Sequence, residues 1–159
     1  MYLPSDDIDR IMAVMRTAFD PEYGEAWSHR QVADALLLGN CHFLLAGPDG
    51  EAPPPDTPPA DIAGFALSRH GFEEEELLLF AVCPRFRRKG VGERLLVRFA
   101  EAARGRGARR LLLEMRRGNT AESLYLRHGF HPIGLRPNYY RTRSGARIDA
   151  ITFACDHEN

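Results

Sequence analysis

The chain of 159 residues has only three cysteines, Cys41, Cys83 and Cys155, widely spaced, with no C-x-x-C pair and no histidine at metal-ligand spacing. An odd, scattered set excludes a disulfide framework and a structural zinc site, and reads as the reduced thiols of a cytoplasmic protein that needs no metal. Long apolar runs are also missing. The longest, Leu77 to Cys83, falls far short of the roughly 20 residues a membrane helix requires. The beginning, MYLPSDDIDR, is acidic where an export signal is basic, so neither export nor a membrane is expected. Charge of one sign is not in excess either: the formal net charge is −1, which by itself names no partner.

What the chain does have is enough apolar residue for a core, 44% hydrophobic against 27% charged. That balance and length fit one globular domain over 1–159. The charge is unevenly spread. Residues 85 to 117 hold twelve of the 21 Lys and Arg and only three acids, Glu93, Glu101 and Glu114, a local excess of nine positive charges. Such a segment fits a localised anion site, and a solvated basic face fits it as well.

Apolar spacing predicts a first helix capped by Ser5 and carrying Ile8, Ile11, Met12, Met15 and Phe19, ending before Pro21. Ser28-His29-Arg30-Gln31 has capping-box spacing and starts a second helix that runs to Gly39, with Trp27 packing just ahead of it. Cys41 to Ala46 reads as a strand. Residues 47–60, GPDGEAPPPDTPPA, hold six of the eleven prolines; they cannot sustain a ladder and read as a hairpin-type loop with scope to move.

Strands follow at 62–70 and 75–82, then helix 91–104, strand 109–115, helix 120–128 and strands near 130–137 and 147–155. An antiparallel front half and a βαβα back half predict an α/β fold, a predominantly antiparallel mixed sheet flanked by about four helices.

The motif that points to chemistry is CPRFRRKGVGERLL, residues 83–96. Arg87-Arg88-Lys89-Gly90-Val91-Gly92 joins an expected strand to an expected helix, where free amide N–H groups and the helix dipole favour an anion. Glycines let phosphates approach the backbone, although a turn needing positive φ selects glycine too. The P-loop pattern and the three-glycine dinucleotide fingerprint are both absent.

Val82-Cys83-Pro84 followed by Arg87, Gly90, Gly92, Leu95 and Leu96 resembles the acyl-CoA-binding signature of the GNAT superfamily of N-acetyltransferases, whose element order matches the one above. Within it, Leu113-Glu114-Met115-Arg116, Leu124-Tyr125-Leu126-Arg127-His128-Gly129-Phe130, Arg136-Pro137-Asn138-Tyr139-Tyr140 and Asp149-Ala150 look like the ribosomal-protein alanine N-acetyltransferases and related protein Nα-acetylating enzymes. Trp27-Ser28 fits that subgroup as well.

The resemblance implies acetyl-CoA as the donor, its pyrophosphate gripped at Arg87, Arg88, Lys89, Gly90, Val91 and Gly92 and its pantetheine met by backbone of Phe80, Ala81 and Val82. The implied acceptor is a protein or peptide N-terminus, a ribosomal protein's alanine among the candidates.

Direct transfer to an amine needs a base, oxyanion stabilisation and a proton for the departing thiolate. Glu114, in the otherwise apolar LLLEM, is the leading base, with a strand-end ion pair to Arg110 or Arg116 as the alternative. Glu76 is the second candidate, while Glu73 to Glu75 read as a solvated turn. Tyr125 is implied as the general acid, and a packing role fits its spacing too. A backbone N–H near Val82 would meet the oxyanion. Cys83 lacks an activating partner, so no covalent acetyl-enzyme is expected, and no histidine receives a catalytic role.

From Glu114 to Tyr125 is eleven residues, one fewer than the subgroup has. Gly118 therefore stands where a CoA-contacting Asn is expected, and Asn119 either reaches the cofactor or caps the next helix. Tyr139 and Tyr140, between the last two strands, fit either peptide binding or packing. A small-molecule amine acetyltransferase is the alternative enzyme; a non-catalytic acyl-CoA sensor or nucleic-acid-binding module is the alternative class. Few aromatics interleave with the cations, so direct nucleic-acid binding is not expected.

Overall fold

The computed structural model describes residues 4–157. Helix α1 spans Pro4–Ala18 and α2 His29–Leu37, with a 3-10 turn at Pro21–Tyr23 between them. The Ser5 side chain proposed as a cap lies outside the described residues. Strand β1 (Cys41–Ala46) leads through the proline-rich segment to β2 (Gly64–Gly71) and β3 (Glu74–Val82). Then come α3 (Val91–Gly105), β4 (Arg110–Arg116), α4 (Glu122–Arg127), β5 (His131–Arg141) and β6 (Arg147–Asp156). The capping box at the start of α2 is present in full: Gln31 N–H donates to Ser28 Oγ at 3.1 Å and Ser28 N–H to Gln31 Oε1 at 2.8 Å.

The six strands form one sheet in the order β1-β2-β3-β4-β6-β5. Every pairing is antiparallel except β3 with β4, so the expected mixed sheet with four helices is what forms. One face carries α3, whose stripe of Val91, Leu95, Leu96, Phe99 and Ala103 is fully covered together with Leu111, Leu113 and Phe153. Each such large side chain contributes about 1.5–3 kcal/mol by leaving water. The other face carries α1 and α2, through Ile11, Val14, Met15 and Val32 against Phe65, Leu67 and Leu79.

Two irregularities of β3 shape the molecule. Opposite β2, Leu67 pairs with Leu79 but Ser68 with Leu77, leaving Leu78 as an extra residue. One inserted residue reverses which side chains face which layer. Leu77 and Phe80 therefore both turn to the α3 side, while Leu79 and Ala81 turn to the α1 side. Opposite β4, pairing runs only from Glu74–Arg110 to Leu77–Leu113 and then stops. Beyond it β4 stays with β6 as far as Arg116 while β3 stays with β2, so the sheet opens into a V.

The proline-rich loop is tied down, unlike the expectation of a segment free to move. Arg10 of α1 donates to Thr57 O at 2.8 Å and Pro55 O at 2.7 Å, and Arg98 of α3 to Leu45 O at 2.9 Å and Gly50 O at 2.8 Å. Gly50, at φ +82°, lies so close to α3 that a Cβ would stand 2.7 Å from Arg94 Cβ. These anchors come from helices distant in sequence, which the loop's composition does not report.

Candidate active site

The opening of the V is a cleft of about 330 Å³. Leu78 to Phe80 form one wall, Leu113 to Met115 another, with Tyr125 of α4, Tyr140 of β5 and the Gly24–Trp27 loop completing it. Cys83 N–H bonds Ala63 O, the residue just ahead of β2. By antiparallel alternation, Phe80 and Val82 then turn their backbone groups away from β2, toward the side β4 has left.

Glu114 lies on the β4 wall. Arg136 Nε stands 3.2 Å from its Oε2, and Thr152 Oγ1 donates to the same oxygen at 3.3 Å. Oε1 has no donor among the described residues, so the carboxylate is oriented through one oxygen and open at the other. The Arg110 or Arg116 pairing considered for it is not what forms: Arg110 pairs with Asp156 and Arg116 with Glu25.

Tyr125 is almost fully buried, its ring edge-on to Phe80 and Phe130 at 6.1 and 5.9 Å between centroids. Packing and the cleft thus share this side chain. No described group takes up its hydroxyl. Burial first, and the Glu25 charge second, push its pKa up, so the phenol keeps its proton.

Glu76 is not brought to the cleft. It binds Arg69 on the neighbouring strand at 2.8 Å, near the closed end of the V. Glu75 is the larger departure: expected in a solvated turn, it is completely buried on the α3 side. Arg106 at the end of α3 grips both its oxygens, the Nε–Oε1 distance being 2.9 Å, and Ser68 Oγ donates at 2.6 Å. His70 Nδ1 adds a contact at 3.2 Å. Burial alone would raise the Glu75 pKa; the Arg106 and Ser68 hydrogen bonds and the Arg106 charge outweigh it and leave it lowered.

At the other end of β3, α3 begins with Gly90 in the left-handed region at φ +83° and no side-chain cap, so its first amides are open. Arg88, itself at φ +63°, and Lys89 are exposed and pair with no described carboxylate. A Cβ on Gly92 would sit 3.6–3.9 Å from Leu124, Val82 and Phe80, filling the space between the end of β3 and α4. Free amides, unpaired cations and that space fit a pyrophosphate. Arg87 is differently placed: its guanidinium donates to Val82 O at 3.0 Å and Ala18 O at 2.8 Å, tying the turn to β3 and α1. Val91 turns its side chain into the core and offers only its amide.

Asn119 lines the cleft and uses Oδ1 to accept Ala121 N–H at 2.9 Å, in the turn that leads into α4, whose N-cap position is Ala121. Tyr139 and Tyr140 lie inside β5 rather than between strands. The strand absorbs a register shift at Asn138, where φ is +55° and Asp149 Oδ1 accepts the amide at 2.9 Å. Tyr140 faces the cleft, its pKa pushed up to about 12 by burial first and then by Glu114 and Glu25. Tyr139 packs edge-on to it from an exposed position.

Glu25 was not singled out in the sequence, yet it lines the cleft and is held by Arg116 Nε at 3.2 Å. Arg116 lies 3.6 Å over the Tyr23 ring. No local pattern marks Glu25, because its partner is 91 residues away. Among the described residues no helix is long and apolar enough to cross a membrane, and no three His, Cys, Asp or Glu gather as a metal ion would need.

Comparison with known proteins gives this geometry a context. The acetyltransferase (GNAT) domain profile matches residues 41–132. The [ribosomal protein bS18]-alanine N-acetyltransferase of Haemophilus influenzae is 35% identical over 94 residues, 59% of this chain and 64% of that protein. Its namesake in Escherichia coli K12 is 38% identical over 94 residues, 58% of this chain and 63% of that protein. The match thus spans just under two thirds of the length of these relatives. In three dimensions, the crystal structure of the ribosomal-protein-S18-alanine N-acetyltransferase from Escherichia coli superposes with a TM-score of 0.78. It is 28% identical and covers 98% of this chain and 91% of that one.

Proposed function

The chain belongs to the GNAT acetyltransferase family, and we propose that it moves an acetyl group from acetyl-CoA directly to a peptide N-terminal α-amine, a ribosomal protein's alanine being the leading acceptor. The observation that carries this is that one cleft holds both Glu114, with Oε1 open, and Tyr125, whose hydroxyl no described group takes up. The names of the relatives support the kind of acceptor. A single domain over 1–159 and a cytoplasmic setting belong to the same reading.

Acetyl-CoA would supply an activated thioester, held by the amides of Gly90, Val91 and Gly92 with Arg88 and Lys89 and lying along Phe80 to Val82. A peptide α-amine has an ordinary pKa of about 7.7–8.0, so much of it is protonated at neutral pH. Glu114 Oε1 takes the amine's proton, directly or through water, as nitrogen bonds to the carbonyl carbon. Backbone N–H groups of Phe80 and Val82, turned toward the opening, meet the charge on the carbonyl oxygen. Tyr125 gives its proton to the sulfur as the carbon–sulfur bond breaks. Tyr140, with Tyr139 behind it, would wall the peptide.

Calorimetric titration with acetyl-CoA, followed by thiol release with short peptides differing in the first residue, tests the proposal. Binding with peptide-dependent release is expected, fastest for alanine. Release with free small amines but no peptide would favour the other enzyme, and binding without release a sensor.

A further inference from the structure

We propose that Glu25 is the acceptor-binding carboxylate of the cleft, receiving the peptide's α-ammonium from the Gly24–Trp27 loop. The inference rests on the peptide N-acetyltransferase reading above and assigns a residue role within it. Two carboxylates of this cleft have the same arrangement. Glu114 is fixed through Oε2 and open at Oε1; Glu25 is fixed by Arg116 through Oε1 and has no donor to Oε2 among the described residues.

A carboxylate with side-chain exposure of 18% is poorly solvated, so an oxygen without a donor attracts a cation more strongly than one at the surface. Arg116 does not compete fully for that charge, because its guanidinium also rests on the face of Tyr23.

Geometry separates the two roles. Glu25 stands on the Gly24–Trp27 loop, off the sheet, whereas Glu114 stands on β4 beside the point where β3 departs. Tyr125 and Tyr140 line the same cleft as Glu25, whose charge adds to burial in holding both phenols protonated. An ammonium arriving at the cleft therefore meets Glu25 as a binding charge, loses one proton to water to become the nucleophile and gives a second to Glu114 as nitrogen bonds to the carbonyl carbon, so the carboxylate that recognises the ammonium is not the one that must be free to accept a proton.

Steady-state kinetics of Glu25→Gln and Arg116→Gln with an alanine-initiated tetrapeptide test this. The amide of E25Q can still accept from Arg116, which preserves the loop anchor and removes only the charge. Losing one charge-assisted contact should raise the peptide KM about tenfold, with the acetyl-CoA KM unchanged. R116Q keeps the carboxylate and should raise the peptide KM less than E25Q does. An unchanged peptide KM in E25Q overturns the assignment. So does an equal or larger rise in R116Q, since Glu25 would then serve only to anchor the loop. If the wild-type protein acetylates no peptide, the function it rests on fails first; if the wild type is active and E25Q matches it, only this inference fails.

Discussion

The two ends of the β3–β4 pair treat charge in opposite ways. Where the strands are bonded, Glu75 is buried completely and every oxygen is answered, by Arg106, Ser68 and His70. Where they part, Glu114, Glu25 and Tyr125 are left with open atoms. Saturated polar groups hold a structure in place, and unsaturated ones are available to a substrate. The difference separates a carboxylate that closes the V from carboxylates that use its opening.

The sharpest way to break the comparison is to exchange charge for amide at both ends. Glu114→Gln should lower kcat/KM about 10²–10⁴-fold, the range of a lost general base, and leave the melting temperature near wild type. A variant that keeps the wild-type kcat/KM would remove Glu114 as the base.

Glu75→Ala should do the reverse, costing about 3–5 kcal/mol of stability by leaving Arg106 half-buried without its partner, read by urea unfolding. The pH dependence has a definite sign. The folded-state pKa of Glu75 is lowered from 4.5, so its contribution is whole above pH 4.5 and is lost as pH falls toward the folded value. Between neutral pH and the acid range below 4.5, the variant should therefore lose less stability than wild type does; identical losses would show that Glu75 is not the group being titrated.

Tyr125→Phe sharpens the open end. Turnover should fall about 100-fold, the lower range for a lost proton donor, with acetyl-CoA affinity nearly unchanged because the ring contacts with Phe80 and Phe130 survive. Burial and the Glu25 charge raise the phenol's pKa, so the wild-type rate should show no basic limb from this group below its ordinary value of about 10. Equal losses of affinity and turnover would make Tyr125 a packing residue.

How much of this was legible depended on distance along the chain. The α2 capping box was readable because Ser28 and Gln31 are three residues apart, and the uncapped, glycine-led start of α3 because its glycines lie close together soon after the end of β3. Element order and the mixed sheet followed from local periodicity. Glu75 was misread because Arg106, which makes its burial tolerable, is 31 residues on. The extra residue at Leu78 is invisible in a run of three leucines, where any register looks apolar. Arg87 sits in the cradle motif, yet its acceptor on α1 is 69 residues back, and no pattern in CPRFRRKGVGERLL separates it from Arg88.

The smallest effect should come from the rim where both regions meet, at Gly92. Its φ is not in the left-handed region and a Cβ would make only ordinary contacts, so fold stability gives little reason for glycine here. Gly92→Val would place two methyl groups toward Leu124, Val82 and Phe80, in the space assigned to the donor. Weakening of acetyl-CoA binding by about tenfold, the scale of one lost contact set, with the peptide KM unchanged, is the expected calorimetric and kinetic result. Valine and alanine are both better helix formers than glycine, so a loss of stability in Gly92→Val would report crowding and not propensity. Gly92→Ala occupies the space with less bulk and should weaken the donor less. If both variants bind acetyl-CoA as wild type does, the donor does not pass between the end of β3 and α4, and the open end of the V must be entered from the acceptor side only.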